Sequence, residues 1–250
     1  MKIRIKSPPY HSASGGVKVL HYLGYLCSKL GHAVDMTSGI LNPDWGNYHQ
    51  SLTDVDVTIY PESYPWSDKS EGKIVRWVLY FPGKIGSGQT TYPGHEMVVS
   101  YMPEYTESAR FAAQGRPVIE FYLPFIELPG IEEIYDRNIA GAYWVGKGQR
   151  KDLPELQGLK EITRGWPTPR IELIRFLKKC QAFYSFDKFT ALNHEAYMCG
   201  CLAYLFDYSK NEWALYQPSN INVEIMNFEH DLQLTRDFLL NVDQYFSVNS

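Results

Sequence analysis

The sequence has no surplus of positive charge. Its 250 residues include 24 lysines and arginines against 28 aspartates and glutamates, which gives a formal net charge of −4. Proteins that hold nucleic acid or anionic lipid through a broad electrostatic field need an excess of cations, which this chain does not have. We therefore expect no nucleic-acid partner.

Long apolar runs are also missing. The longest stretches, at 74–81 and 201–206, end well short of the roughly 20 residues that a membrane-spanning helix needs. The opening segment 1–6 alternates charge with isoleucine, a pattern typical of a strand and unlike the continuous apolar core of a signal peptide. We expect no transmembrane segment and a cytoplasmic protein, with peripheral attachment to a membrane as the alternative location.

Two motifs that would assign a cofactor are incomplete. There are 4 cysteines, and the close pair Cys199 and Cys201 has no second pair or histidine cluster to complete a zinc site. The loop at 12–16 lacks the three spaced glycines of a dinucleotide-binding fingerprint. We therefore expect buried, reduced thiols, no metal and no nicotinamide cofactor.

What the sequence does contain is a repeated strand–helix pattern. Short β-compatible segments at 3–7 and 33–36 flank a stretch with helical apolar spacing at 17–30. Further strands are predicted at 55–60, 74–81, 96–101 and 118–122. Strands that alternate with helices predict a parallel sheet covered on both faces.

The pattern starts again after the turn residues 128–130. Strands are predicted at 142–145, 182–184 and 201–206, and helices at 169–179, 189–198 and 231–246. Thr168 and the following proline favour a helix start at that point. The sequence thus predicts an α/β protein with two halves of about equal size, 1–129 and 130–229, and a C-terminal helical segment, 230–250.

Two loops carry candidate binding residues. Gly15 and Gly16 lie between the first strand and the first helix, where the absence of a Cβ lets a ligand approach the backbone, although a tight turn without a ligand explains them as well. In the second half, Asp187 is predicted in a strand-to-helix loop and Glu195 inside the helix, with seven residues between them.

The backbone amides near Thr190 and Ala191 open that helix and can hold a phosphate. Asp187 and Glu195 could then reach the two ends of a ligand whose phosphate lies between them. The alternative interpretation is a helix cap at Asp187 and a solvated Glu195.

Three segments resemble one known group of enzymes. They are residues 14–20 with 30–32, the strand end 144–148, and the acidic segment 184–200 with its Glu195-Ala196 and Cys199-Gly200 pairs. In these segments the chain resembles the glycosyltransferases of the GT-B fold, especially the retaining family 4 type. The resemblance implies an α/β protein in which two Rossmann-like domains face each other across a cleft.

The resemblance also implies roles for individual residues. Glu195 would bind the ribose hydroxyls of a nucleotide sugar, and Asp187, where the family usually has glutamate, would lie near the hydroxyls of the transferred sugar. Lys147 would contact the diphosphate with Arg150 as a helper, which makes Lys147 and Asp187 the catalytic candidates. Gly15 and Gly16 would border the donor from the first domain.

The same resemblance places the C-terminal helix on the first domain, where its apolar residues need a partner surface. Two features depart from the family. The chain is short, and the loop 82–94 contains no histidine, whereas many family members place one near the sugar. His95 lies just beyond that loop and is the available substitute, although a histidine without a role is the simpler interpretation.

These observations lead to one functional prediction and two alternatives. The prediction is metal-independent, retaining transfer from a nucleotide-diphosphate sugar, held mainly by the second domain, to a hydroxyl of a glycan, lipid-linked or protein-linked acceptor. The first alternative is a non-catalytic module that binds a sugar nucleotide or glycan. The second is a metal-dependent transferase built on Asp54 and Asp56, although acids before a strand are usually solvated.

Overall fold

The computed structural model of the chain describes residues 1–86, 89–217 and 226–248. The chain divides into two compact units, residues 1–125 with 227–250, and residues 126–226. The first unit is thus larger than the second. Each unit contains one β-sheet.

The first unit contains a six-stranded parallel sheet. Its strands are β1 (Lys2–Ile5), β2 (Ala33–Met36), β3 (Val57–Pro61), β4 (Lys73–Val78), β5 (Glu96–Ser100) and β6 (Val118–Glu120), in the order β2-β1-β3-β4-β5-β6. The helices of this unit are α1 (Gly15–Lys29), α2 (Pro103–Ala112) and α5 (Phe228–Val248). The sequence pattern predicts all six strands and the helices α1 and α5, but not α2.

The two faces of this sheet differ because charged and apolar residues alternate along β1. Ile3 and Ile5 are fully buried on the face where α1 packs, and a Cβ at Gly24 of α1 would lie 3.5 Å from Ile5. Arg4 and Lys6 point to the other face, where the Arg4 Nε donates to Asp35 at 2.9 Å. Alternation with a period of two residues therefore gives one apolar and one charged face.

A fully buried ion pair lies on the charged face. Arg76 donates through Nε and Nη2 to both carboxylate oxygens of Glu96, at 2.9 and 2.8 Å. Its remaining N–H groups donate to the carbonyl oxygens of Pro61, Tyr64 and Pro65. Because every polar partner is satisfied, the pair can remain buried in this part of the sheet without an uncompensated charge.

The second unit contains a five-stranded mixed sheet. Its strands are β7 (Ile139–Trp144), β8 (Lys160–Ile162), β9 (Cys180–Ser185), β10 (Leu202–Asp207) and β11 (Glu212–Leu215), in the order β11-β10-β9-β7-β8. Its helices are α3 (Arg170–Lys179) and α4 (Ala191–Met198). The short strand β8 and the antiparallel strand β11 were not predicted. The predicted fold class is confirmed as α/β, with two sheets of Rossmann-like type.

The C-terminal helix α5 packs within the first unit. The ring of Phe238 stacks on Phe121, with centroids 4.0 Å apart, and on Trp77 at 6.3 Å. The hydroxyl of Tyr22 in α1 donates to Asp231 in α5 at 2.8 Å. Of the helices in the described ranges, none combines the length and apolar character that a bilayer span requires.

The aromatic stack around Phe238 predicts a large effect on stability. Phe238→Ala should lower the free energy of unfolding by about 3–5 kcal/mol because it removes a buried ring and leaves a cavity. Leu240→Ala on the same helix is the matched control, since Leu240 is 54% exposed and should change stability by less than about 0.5 kcal/mol. Urea denaturation measures both, and equal losses would contradict this packing of α5.

Candidate functional site

The strand order of each sheet predicts one crevice of the kind in which open α/β sheets usually bind a ligand. In the first sheet β1 connects to β2 on one side, and β3 connects to β4 on the other. In the second sheet β7 connects to β8, whereas β9 connects to β10 in the opposite direction. Right-handed crossovers that run in opposite directions lie on opposite faces, which opens a crevice at the carboxyl ends of the two diverging strands.

Gly15 and Gly16 lie next to the crevice of the first sheet, at the start of α1. A Cβ at Gly15 would lie 2.9 Å from the ring of Phe125, whereas a Cβ at Gly16 would make an ordinary contact with Leu79 at 3.8 Å. Ser14 occupies the N-cap position without a side-chain hydrogen bond to the helix. Packing against Phe125 therefore explains why Gly15 carries no side chain.

The loop before α1 is held by a buried histidine. The Nε2 atom of His21 lies 3.0 Å from the carbonyl oxygen of Pro8, and Nδ1 lies 2.8 Å from the hydroxyl of Tyr48. A carbonyl oxygen only accepts, so Nε2 carries the proton and Nδ1 of the neutral ring accepts from Tyr48. Burial lowers the pKa of His21 below its usual value, and the bond to Pro8 only partly opposes this.

The lowered pKa of His21 predicts a pH-dependent stability. The unfolded chain binds the proton first, below about pH 6.5, so the stabilisation is complete above that pH and is lost as pH falls towards the folded-state pKa. Between pH 7.5 and 5, the free energy of unfolding measured in urea should fall more steeply for the wild type than for His21→Gln. The two slopes should differ by at most about 1.4 kcal/mol per pH unit. His32 and His95, whose pKa values are also lowered, remain in both proteins. Parallel pH profiles would contradict the prediction.

In the second unit, Asp187 joins the two loops that border the crevice. Its Oδ2 accepts a hydrogen bond from the backbone amide of Lys147 at 3.0 Å, and its Oδ1 accepts from the amide of Phe189 at 3.2 Å. The side chain of Ser185 bonds to both backbone groups of Asp187. The structure therefore brings Lys147 and Asp187 together, and it does so through the backbone of Lys147.

The N-terminus of α4 completes this arrangement. Thr190 is the N-cap, and its hydroxyl accepts from the amide of Leu192 at 3.4 Å. The side-chain amide of Asn193 donates to the carbonyl oxygens of Asp187 and Lys188. The sequence predicted Thr190 and Ala191 here but not Asn193, whose contact is not a capping box, since its amide donates to carbonyl oxygens before the cap and does not accept from the N-cap amide.

Gly146 allows the two loops to approach. Its φ of +56° is left-handed, and a Cβ there would overlap the indole nitrogen of Trp144 and lie 2.5 Å from Asp187 Oδ2. Gly148 is equally confined, since a Cβ there would overlap the carbonyl oxygen of Phe186. The close approach of this loop to the residues that follow β9 thus explains both glycines.

This confinement predicts that Gly146→Ala disrupts the loop. Gly158→Ala is the matched control, because Gly158 has a φ of +77° with no atom within 4 Å of a Cβ. The control should cost roughly 1–2 kcal/mol for the left-handed backbone alone. Gly146→Ala should cost a further ~1–3 kcal/mol because of overpacking. Equal losses in urea denaturation would contradict the clamp between Asp187 and this loop.

Glu195 is a buried member of an ion pair. Its side chain is 4% exposed and accepts through Oε1 from the Nη2 of Arg170, the first residue of α3. Arg170 Nε also donates to the carbonyl oxygen of Glu127 at 3.2 Å. The alternative prediction of a solvated Glu195 is therefore wrong. Arg170 was not predicted, because its partner Glu195 lies on a different helix and sequence spacing does not show contacts between helices.

Arg150 lies beside β7 and β8. Its guanidinium is 3.6 Å from Asp152 and 3.7 Å from Glu161, and it lies over the ring of Tyr143. Tyr143 donates to Glu161 at 3.0 Å, and burial followed by this bond raises the pKa of the phenol. Arg150 thus has ion-pair partners on the surface. Within the described residues it makes no hydrogen bond or ion pair with Asp187.

Three further candidates lie at the amino edge of the first sheet, away from its crevice. Asp54 and Asp56 precede β3, and their carboxylates accept from the side chain and the backbone amide of Lys2, each at 2.7 Å. His95 precedes β5 and contacts Ser67 at 3.0 Å. In the part of the chain that the structure describes, no group of three or more histidine, cysteine or acidic residues is arranged to hold a metal.

The cysteines do not contribute to either crevice. All four are free and buried, as predicted, and burial raises the pKa of both Cys180 and Cys199 to about 12. Thiols with such pKa values are protonated at neutral pH and are poor nucleophiles.

Comparison with known proteins gives no family for this chain. No family model matches it, and no curated protein matches its sequence.

Proposed function

We propose that the protein is a glycosyltransferase whose nucleotide-diphosphate sugar donor binds at the crevice of the second sheet. The observation that carries the proposal is the coincidence of three independent features there. The strand order reverses between β7 and β9, the N-terminus of α4 points its amides to the same edge, and Asp187 clamps the loops on either side. Crevices of this kind are the usual ligand sites of open α/β sheets.

The chemistry of this edge suits a diphosphate. The amides at the start of α4 and the helix dipole favour an anion, and Lys147 supplies a positive charge on the facing loop. Developing negative charge on the departing diphosphate is then stabilised by groups that are already in place. Asp187 positions the loop of Lys147, because both of its carboxylate oxygens accept hydrogen bonds from backbone amides.

The remaining parts of the proposal follow the family resemblance. Glu195 binds the ribose hydroxyls, the acceptor hydroxyl binds at the first unit, and the configuration of the transferred sugar is retained. No metal is required, because cationic and amide groups take its place at the diphosphate. The acceptor is a glycan or a lipid- or protein-linked hydroxyl, and the reaction takes place in the cytoplasm or at a membrane surface.

Donor binding and turnover test the proposal directly. A panel of nucleotide-diphosphate sugars is screened by thermal shift with and without EDTA, and slow release of nucleoside diphosphate is then measured. We expect a donor that raises the melting temperature equally in both conditions. A shift that disappears on chelation would favour Asp54 and Asp56 and contradict the metal-independent mechanism.

Lys147 gives the sharpest single variant. Lys147→Ala should lower turnover more than donor affinity, because negative charge grows on the diphosphate only as the glycosidic bond breaks. Lys151→Ala, four residues further along the same exposed loop, is the matched control and should change neither. Equal turnover in all three proteins would remove Lys147 from the mechanism.

One observation favours a second candidate function, a non-catalytic module that binds a sugar nucleotide. Both acids of the motif are already engaged, Asp187 by two amides and Glu195 by Arg170. Such a site can bind a ligand without supplying a free carboxylate for chemistry. A donor that binds tightly but is neither transferred nor hydrolysed would support this candidate over the enzyme.

A further inference from the structure

The ion pair between Arg170 and Glu195 leaves one carboxylate oxygen available. Arg170 Nη2 donates to Oε1 of Glu195, whereas Oε2 accepts no hydrogen bond from any residue in the described ranges. Arg170 is itself fixed, since its Nε donates to the carbonyl oxygen of Glu127 at 3.2 Å. Oε1 of the carboxylate is therefore held by a side chain that is itself anchored.

The position of Glu195 decides what this anchored carboxylate can serve. Glu195 lies about one helical turn after Thr190, the N-cap of α4, and its helix begins beside the crevice between β7 and β9. A buried carboxylate without a cation would be costly, and Arg170 supplies that cation from the first turn of α3. The rigid guanidinium also donates through Nε to Glu127 and through Nη2 to Glu195, which fixes the position of the donor to Oε1 in a way that a flexible lysine ammonium does not.

We infer that Arg170 is a positioning residue that aims the second oxygen of Glu195 at the ribose hydroxyls of the bound nucleotide. The inference rests on the proposed function and adds a specificity determinant to it. Arg170 touches no part of the nucleotide in this arrangement. It acts through Glu195, and its loss should affect ligands that carry the ribose hydroxyl and spare ligands that lack it.

The experiment compares nucleoside diphosphates with their 2′-deoxy and 3′-deoxy counterparts by isothermal titration calorimetry. UDP and GDP are the probes, each measured against the full-length wild type and folded variants. A hydrogen bond to a charged group corresponds to roughly a tenfold to a hundredfold preference, so the wild type should favour at least one ribose hydroxyl by that factor. This ratio is the readout.

Three single variants and one double variant distinguish a positioning role of Arg170 from a purely stabilising one. Arg170→Met should reduce the ratio to about one and change the affinity for the deoxy ligand by less than about twofold. Arg170→Lys keeps the charge but not the planar fork, and should give an intermediate ratio. Glu195→Gln should reduce the ratio as far as Arg170→Met, and the double variant should reduce it no further, because the two residues act as one unit.

A matched control comes from the same helix. Arg175 of α3 also pairs with acids, Glu133 and Glu172, but makes no contact with Glu195. Arg175→Met should therefore retain the full ratio. Circular dichroism and urea denaturation establish that each variant is folded, and the conservative Arg170→Lys substitution keeps the test available if Arg170→Met does not fold.

The possible failures can be told apart. If the wild type binds neither diphosphate, the proposed function is overturned and this inference with it. If it binds the ribose and both deoxy forms equally, donor binding stands but Glu195 does not meet the ribose, which overturns the inference alone. If folded Arg170→Met keeps the full ratio, the ion pair is only structural, and the inference is again overturned.

Discussion

The carboxylate of Asp187 accepts hydrogen bonds from two backbone amides and holds the loops of the candidate site together. Asp187 connects the amide of Lys147, after β7, to the amide of Phe189, before α4, so the two loops cannot move independently. Gly146 is required because any side chain there would meet Asp187 and Trp144. Asn193 then fixes the carbonyl side of the same loop. The charge on Lys147 and the amides of α4 are thereby presented along one edge of the sheet.

The first unit has charged side chains on one face of its sheet. Arg4 of β1 and Lys6, directly after β1, form pairs with acids on the face that does not receive α1, and the buried Arg76–Glu96 pair continues this charged face. A parallel sheet usually buries both faces under helices. In the sheet of the first unit, ion pairs and loops cover part of the charged face. This agrees with the alternating charge and isoleucine at the start of the sequence.

Periodicity was sufficient to predict most of the fold. The alternation in β1, the mostly apolar runs of the fully buried strands β3 and β5, and the helical spacing of the buried residues in α1 all produce clear sequence patterns. The strand β8 has three residues and α2 is mostly polar on its surface, so neither produces a strong pattern. The hairpin that forms β11 turns at Asn211, which has a φ of 57°. Asparagine is a common residue at hairpin turns, but strand periodicity alone does not include this signal.

The site was predicted less completely than the fold. Sequence spacing indicated Asp187, Thr190 and Glu195, because these residues follow a strand or open a helix, whereas Lys147 was implied only by the family resemblance. The spacing did not show that Asp187 would use both oxygens on backbone amides, or that Glu195 would pair with Arg170, since such contacts depend on how separate elements pack. For Gly15 the sequence leaves open a ligand approach or a tight turn without a ligand, and it does not show the ring of Phe125 that leaves no room for a Cβ there.

Amide hydrogen exchange with and without a nucleotide-diphosphate sugar tests the central claim most directly. We expect slower exchange in the loops 146–150 and 187–193 of the second unit when the donor is added, because the ligand covers those amides. The segment 53–56 at the amino edge of the first sheet should be unchanged. Protection at 53–56, or none at 146–150 and 187–193 with a donor that binds, would contradict it.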